Sequence, residues 1–230
     1  MQLHFRAYKA INELDTCLKF IEEHRNVLRD YNISNITTNT EEWMHNPNVY
    51  CVIAQDLSNN KIVGGLRIHI SDGSSALPVE LAIGRMDQRI HSVVENFRKN
   101  GGVAELCALW NAKAIAGAGV STLLVRAGIA VSNQLEIQTL MCICADYTLN
   151  MFQNAGFIAD HSLGLNGGFP YPNANYTARV LGIMNPHSLE SANAFDRERM
   201  ESLRSFPVQR FAEQGTNQKI DVYYNLVIVK

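Results

Sequence analysis

The sequence predicts a mixed α/β fold in one domain spanning residues 1–230. Three observations predict it. Apolar residues recur with two periods, near two for strands and near 3.6 for helices, and the two kinds of stretch alternate along the chain. Apolar residues make up 47% of the composition and charged residues 18%, the balance of a chain that buries a core. No internal repeat, low-complexity tract or linker divides the 230 residues, a length that one large domain accommodates.

Leu3, Phe5 and Ala7 alternate with polar neighbours, so residues 2–8 read as a strand. A helix follows, with Leu14, Cys17, Leu18, Ile21 and Leu28 at helical spacing and Glu22, Glu23, Arg25 and Arg29 on its surface. Residues 32–48, rich in Asn and Thr, read as a loop with room for one helical turn. Residues 50–54 and 62–70 are apolar runs around a turn cluster at 56–60, an antiparallel hairpin. A Gly/Ser/Pro loop leads to a helix with Ile90, Val93, Val94 and Phe97 on one face, which Gly101 and Gly102 stop. Residues 103–110 form a strand. The small-residue stretch 114–119 opens a helix with Val120, Leu123, Leu124, Ala127 and Val131 on one face. Residues 137–145 form a strongly apolar strand, and Asp146 is placed to cap a short helix ending at Gly156. A Gly/Pro/Asn-rich loop covers 164–175. A strand at 177–184, an exposed helix at 187–204 capped by Ser188, and a strand at 221–229 complete the order.

The formal net charge is -2 and no basic block occurs, so nucleic acid is not an expected partner. No apolar run reaches membrane-spanning length, and residues 1–6 lack the apolar stretch of a signal peptide. The five cysteines, Cys17, Cys51, Cys107, Cys142 and Cys144, have neither C-x-x-C spacing nor a histidine pattern. They read as reduced core residues of a cytoplasmic protein with no metal site.

The informative block runs from Val103 to Phe157: strand, small-residue turn, helix, strand, short helix. In the turn, Gly117, Ala118, Gly119, Val120 and Ser121 leave backbone amides uncovered where a helix begins, and the helix dipole adds positive potential. That is a ready place for a pyrophosphate. A tight strand–helix turn without a ligand is an equal reading of these residues taken alone. A dinucleotide-binding unit fits less well, because a third glycine and an acidic residue closing the next strand are both missing.

With Glu105 on the strand, Gly117 and Gly119 in the turn, Leu123 and Leu124 in the helix, and Gly156-Phe157 after the short helix, the block resembles the GNAT superfamily of acyl-CoA-dependent N-acyltransferases. The resemblance implies a mixed, largely antiparallel, twisted sheet with helices on both faces. It implies acyl transfer from an acyl thioester to an amine acceptor, with acyl-CoA as co-substrate and no metal. Amides of residues 117–121 would hold the donor pyrophosphate. The strand around Leu109, Trp110 and Asn111 would part from its neighbour and pair with the pantetheine arm. Ile62-Val63-Gly64-Gly65-Leu66-Arg67-Ile68 is similar to the Gly-x-x-Arg strand of acyl-homoserine-lactone and N-acyl amino acid synthases. Residues 23–28, with Arg25, resemble their first-helix arginine segment, and residues 156–172 their loop after the last core helix. This narrower branch is an alternative in which acyl carrier protein delivers the donor. The arginine or glutamine that often opens the turn is Ala116 here, the common asparagine at the start of the short helix is Ala145, the usual arginine after the glutamate is Ala108, and the tyrosine often used to protonate the leaving thiolate is Phe152. Those departures support a third reading, a non-catalytic acyl-CoA-binding module.

Glu105 is the expected general base, since a carboxylate on a core strand can take a proton from an ammonium directly or through water. A structural ion pair is its other reading. Arg67 is a candidate clamp for an acceptor carboxylate. It shares a strand face with Gly65 and His69, which reads equally as a solvent-facing side. Arg25 has the same two readings, and the solvated helix face is favoured. Trp110 and Tyr147 are candidates for an acyl pocket or for plain core and rim. Phe169, Pro170, Tyr171 and Pro172 read as a substrate mouth or as a stiff loop. The helix at 187–204 is a candidate homodimer contact or a solvated appendage.

Overall fold

The computed structural model describes residues 1–33 and 40–228. Strand β1 (Gln2–Lys9) leads through one 3-10 turn into helix α1 (Leu14–Asp30). A 3-10 turn (Glu42–His45) precedes the hairpin of β2 (Val49–Asp56) and β3 (Ile62–Ile70). Helices α2 (Pro78–Ile83) and α3 (Arg89–Lys99) come before β4 (Val103–Asn111). Then follow α4 (Val120–Ser132), β5 (Thr139–Ala145), α5 (Leu149–Asn154), and the two-residue strands β6 (Ile158–Ala159) and β7 (Phe169–Pro170). Strand β8 (Thr177–Ile183), helix α6 (Ala194–Ser205) and the hairpin β9 (Val208–Gln214) and β10 (Lys219–Asn225) complete the described elements.

All ten strands among the described residues join one sheet in the order β6-β8-β5-β4-β3-β2-β1-β10-β9, with β7 paired to β8. Pairings are antiparallel except β1 with β10 and β4 with β5. The expected mixed, largely antiparallel sheet is therefore present, and helices cover both faces. On one face α1 packs on β1 to β3 through Cys17, Phe20 and Ile21, while α2 and α3 pack on β4, β5 and β8 through Val79, Ile83, Ile90 and Val94. On the other, α4 lies over Leu66, Ile68, Leu106 and Leu140, and α6 packs on α4 through Met200 and Leu203.

Several expectations are corrected. The stretch after Ile70 is not all loop: Pro78 opens α2 and Val79 and Ile83, four apart, are buried. Leu14 and Leu18 of α1 are exposed, and Phe20 and His24 take the buried stripe instead. The helix expected at 187–204 begins at Ala194, its cap is Asn193, and Ser188 does not cap it. Nor is it exposed, because Asp196, Arg199, Met200 and Leu203 are buried. Asp146 does not cap the short helix; its carboxylate pairs with Arg179 at 2.6 Å. Strand β9 has no counterpart in the expected order. Residues 34–39 of the expected loop and Val229 of the expected last strand lie outside the described residues.

Candidate active site

The site is built where β4 leaves β5. The two strands pair in parallel at Val103–Thr139, Ala104–Leu140 and Glu105–Met141, and no farther, although β4 runs on to Asn111 and β5 to Ala145. A wedge opens between them just past Glu105. On its other edge β4 stays paired to β3, with a bulge: Arg67 lies opposite Cys107 but Gly65 lies opposite Trp110. Ala108 sits in the bulge with φ +48°, a conformation few side chains adopt. The extra residue breaks the two-residue alternation, so Glu105, Cys107 and Trp110 share the α1–α2 face.

At the far end of β4 the chain turns into α4. Gly117 has φ +75° and Gly119 φ +94°, both conformations that favour glycine. A Cβ on Gly117 would meet nothing within 4 Å, so the outside of the turn is open. The first turn of α4, with Val120 and Ser121, leaves amides that a helix cannot satisfy itself. Two ties hold this geometry. The Ser121 hydroxyl donates to Asn111 Oδ1 at 2.5 Å, and Thr216 N–H of the β9–β10 turn donates to the Ala118 carbonyl at 3.2 Å. The Ala118 amide itself is taken by the Ile115 carbonyl, so of the five residues of the turn this one has no free donor. Leu109 packs toward the α4 core, and Trp110 is a core side chain of the α1 face, edge-to-face with Phe20 at 5.5 Å.

Glu105 is 0% exposed. One carboxylate oxygen accepts the Val79 N–H at the start of α2 at 2.7 Å, and Oε1 has no hydrogen-bond partner. Burial pushes its pKa from 4.5 up to about 8, opposed by the Val79 bond and the Arg67 charge and assisted by Glu80. No ion pair at bonding distance to Glu105 occurs among the described residues.

Arg67 is 1% exposed, which corrects the solvent-facing reading of its strand side. Its guanidinium lies over the Trp43 ring at 4.3 Å and beside the Cys107 thiol, whose pKa burial pushes up to about 12. Gly65 is bare because Phe20 occupies the space: a Cβ there would stand 2.6 Å from the ring. His24 stacks on Trp110 at 6.1 Å and stays neutral, its pKa lowered to about 3 by burial and by Arg67. Arg25, its sequence neighbour, turns outward to pair with Glu41 at 3.1 Å and is not part of this cluster. The face over β3 and β4 therefore carries a buried cluster of Arg67, His69, Glu105, Cys107, His24 and Trp43.

Sequence reasoning missed His24, Trp43 and His69. His24 was legible as the position four beyond Phe20 on the buried stripe of α1. Trp43 comes from a stretch with no periodicity and had no signal. Tyr147 is 77% exposed against Tyr176, as a rim residue is, and Phe169 is buried in the α2–α3 core, which favours the stiff-loop reading. A groove of about 420 Å³ on α3, lined by Arg89, Val93, Phe97, Asp160 and others, contains none of the site residues. Among the described residues no helix is long and apolar enough to cross a membrane, and no three His, Cys, Asp or Glu side chains are grouped to hold a metal.

No protein-family description and no curated protein sequence matches the chain. Solved structures do. An N-acyl amino acid synthase, FeeM, from uncultured soil microbes is 15% identical, covers 81% of this chain and 98% of its own, and superposes with a TM-score of 0.57. A CoA-dependent acyl-homoserine lactone synthase, BjaI, solved with SAM and isopentyl-CoA, is 11% identical over 96% of this chain and 94% of its own, with a TM-score of 0.55. An acyl-CoA N-acyltransferase from Pseudomonas aeruginosa is 11% identical over 79% of this chain and 99% of its own, again with a TM-score of 0.55. The chain has the fold of the GNAT acyltransferases.

Proposed function

We propose that the protein is an N-acyltransferase that moves an acyl group from acyl-CoA to an amine acceptor. The observation that carries this reading is the wedge between β4 and β5, which leads from the open glycine turn at Gly117 and Gly119 to the buried carboxyl of Glu105. The amides of Gly117, Gly119, Val120 and Ser121 hold the donor phosphates, aided by the α4 dipole. The free edge of β4 at Leu109, Trp110 and Asn111 offers main-chain groups to the pantetheine arm. An amide near Leu109 stabilises the oxyanion of the tetrahedral intermediate. Glu105 is the general base, and the acceptor binds on its α1–α2 side, where Arg67 supplies positive charge for an acceptor that carries a carboxylate.

A second reading, a non-catalytic acyl-CoA-binding module, is favoured by Phe152. It is buried against Phe157 at 5.4 Å and has no proton to give a leaving thiolate.

Thermal unfolding with coenzyme A, acetyl-CoA and a long-chain acyl-CoA, followed by thiol release across a panel of amines, tests both. A donor at about a hundred times its Kd adds about 2.7 kcal/mol, which raises Tm by roughly 5–10 °C in a chain of this size. A shift with all three ligands and thiol release supports the enzyme. A larger shift with the long chain moves the assignment toward an N-acyl amino acid or acyl-homoserine-lactone type of synthase. A shift without thiol release supports the binding module. No shift and no thiol release refutes a CoA donor and leaves acyl carrier protein as the donor to test.

A further inference from the structure

We propose that His69 is a second proton acceptor of the transfer reaction, working across the strand pair from Glu105. The inference rests on the acyl-transfer reading above. His69 and Glu105 are directly opposite in the β3–β4 register, on the same face of the sheet. Such cross-strand neighbours hold their Cβ atoms about 4.5–5.5 Å apart. Both residues are buried, and each has one polar atom without a hydrogen-bond partner: Nε2 of His69 and Oε1 of Glu105. A buried polar atom left unsatisfied is costly and rare. Two of them on directly opposed residues, beside the last β4–β5 pair, mark the place of a polar group that arrives with the substrate. An ammonium that becomes an amine is the chemistry that suits both, since it donates to a carboxylate and then to an imidazole nitrogen. Burial and the Arg67 charge keep the imidazole neutral, so its lone pair is available.

Making an amide from an ammonium removes two protons from nitrogen. The Glu105 carboxylate takes the first and gives the free amine. The amine lone pair forms the C–N bond to the thioester carbonyl carbon, and the nitrogen then carries one proton too many. His69 Nε2 accepts it. The intermediate collapses, the C–S bond breaks with its electron pair on sulfur, and the imidazolium passes its proton to the thiolate. Glu105 returns its proton to solvent. The sum is ammonium plus thioester giving amide, thiol and one proton. The proton that Phe152 cannot supply to sulfur comes, in this scheme, from the acceptor amine itself.

The test is thiol release from acetyl-CoA and a long-chain acyl-CoA, across the amine panel, by wild type, His69→Gln and His69→Asn, each checked by near-ultraviolet circular dichroism. Both variants are expected to keep the KM for acyl-CoA and to lose about 100-fold in kcat, the scale of a general base. In addition, nitrogen-15 NMR of histidine-labelled wild type is expected to show the His69 Nε2 resonance move when free coenzyme A and the best amine substrate are added together. A folded variant that keeps wild-type kcat, or an unmoved Nε2 resonance, overturns the role of His69 and leaves acyl transfer standing. If wild type itself releases no thiol, the reading of an acyl-CoA donor falls, and the role of His69 in that transfer with it.

Discussion

Replacing Glu105 by glutamine separates the charge of this residue from its shape. Glutamine keeps an oxygen for the Val79 N–H, so the start of α2 stays tied to β4. The wild-type carboxyl has a folded pKa of about 8 against an ordinary 4.5. Between those values the folded protein retains a proton that the unfolded chain has lost, so wild-type stability falls as pH rises. At about 1.36 kcal/mol per pH unit, the loss relative to Glu105→Gln reaches at most about 5 kcal/mol by pH 8. His24 and His69, both with lowered pKa values, contribute the opposite slope below about pH 6.5. That slope is common to both proteins and cancels in the difference. The assay is urea unfolding of both proteins from pH 4.5 to 9. The expected result is a gap that favours the glutamine variant and widens with pH until about 8. A gap independent of pH refutes the reasoning, because Glu105 would then carry its charge in the folded protein throughout. Turnover gives the complementary sign: the base form is the carboxylate, so wild-type kcat rises with pH through about 8 and the glutamine variant loses it.

Two further perturbations follow. Gly117→Ala meets no atom and suffers only its φ of +75°, so it costs about 1 kcal/mol in urea unfolding, whereas Gly119→Ala has φ +94° and a Cβ 3.2 Å from Thr216 N, so it costs at least about 2 kcal/mol. Equal costs would show that the β9–β10 turn does not brace this loop. Glu213→Gln weakens the buried bonds to Arg199 and Tyr224, both at 2.8 Å, and leaves buried cations undercompensated; a loss of about 3 kcal/mol is expected, and an unchanged midpoint would show that the network contributes nothing.

The local parts of the site were legible because their signals are local. Glu105 in an apolar strand, and Gly117 and Gly119 before an apolar helix, are neighbours in sequence and in space. The cluster around Glu105 was not legible, since its other members come largely from α1, the 3-10 turn before β2, and β3. Arg67 shows the difficulty. Period two puts it beside Gly65 and His69, a set that reads as a solvent face, yet Phe20 fills the space above Gly65 and Trp43 covers the guanidinium. The second face of a strand is decided by what lands on it. Strand β9 escaped for a related reason: its buried residue is Glu213, whose partners Arg199 and Tyr224 lie 14 and 11 residues away. Helix α2 escaped although Pro78 at its first position and Glu80 three residues after Leu77 are both helix-start signals.

Helix α4 carries its own evidence that the segment after Asn185 cannot be a solvated appendage. From Leu123 to Ser132 every residue is buried, and Arg126 is the sole charged side chain in the helix. A helix apolar all round needs cover on both sides. The sheet provides one side, and α6 with the β9–β10 hairpin provides the other. The single charge is met there too: Arg126 pairs with Asp196 of α6, and Glu213 of β9 lies 4.0 Å away. The same hairpin reaches the glycine turn through Thr216, so the cover of α4 also fixes the start of α4. A chain ending at residue 186 would expose the outer side of α4 together with an unpaired Arg126. It is expected to bind a dye for exposed apolar surface and to aggregate at micromolar concentration. If the shortened chain stays monomeric with an unchanged melting temperature, α6 and the hairpin are an appendage after all, and the bracing of the donor turn by Thr216 has to be abandoned with it.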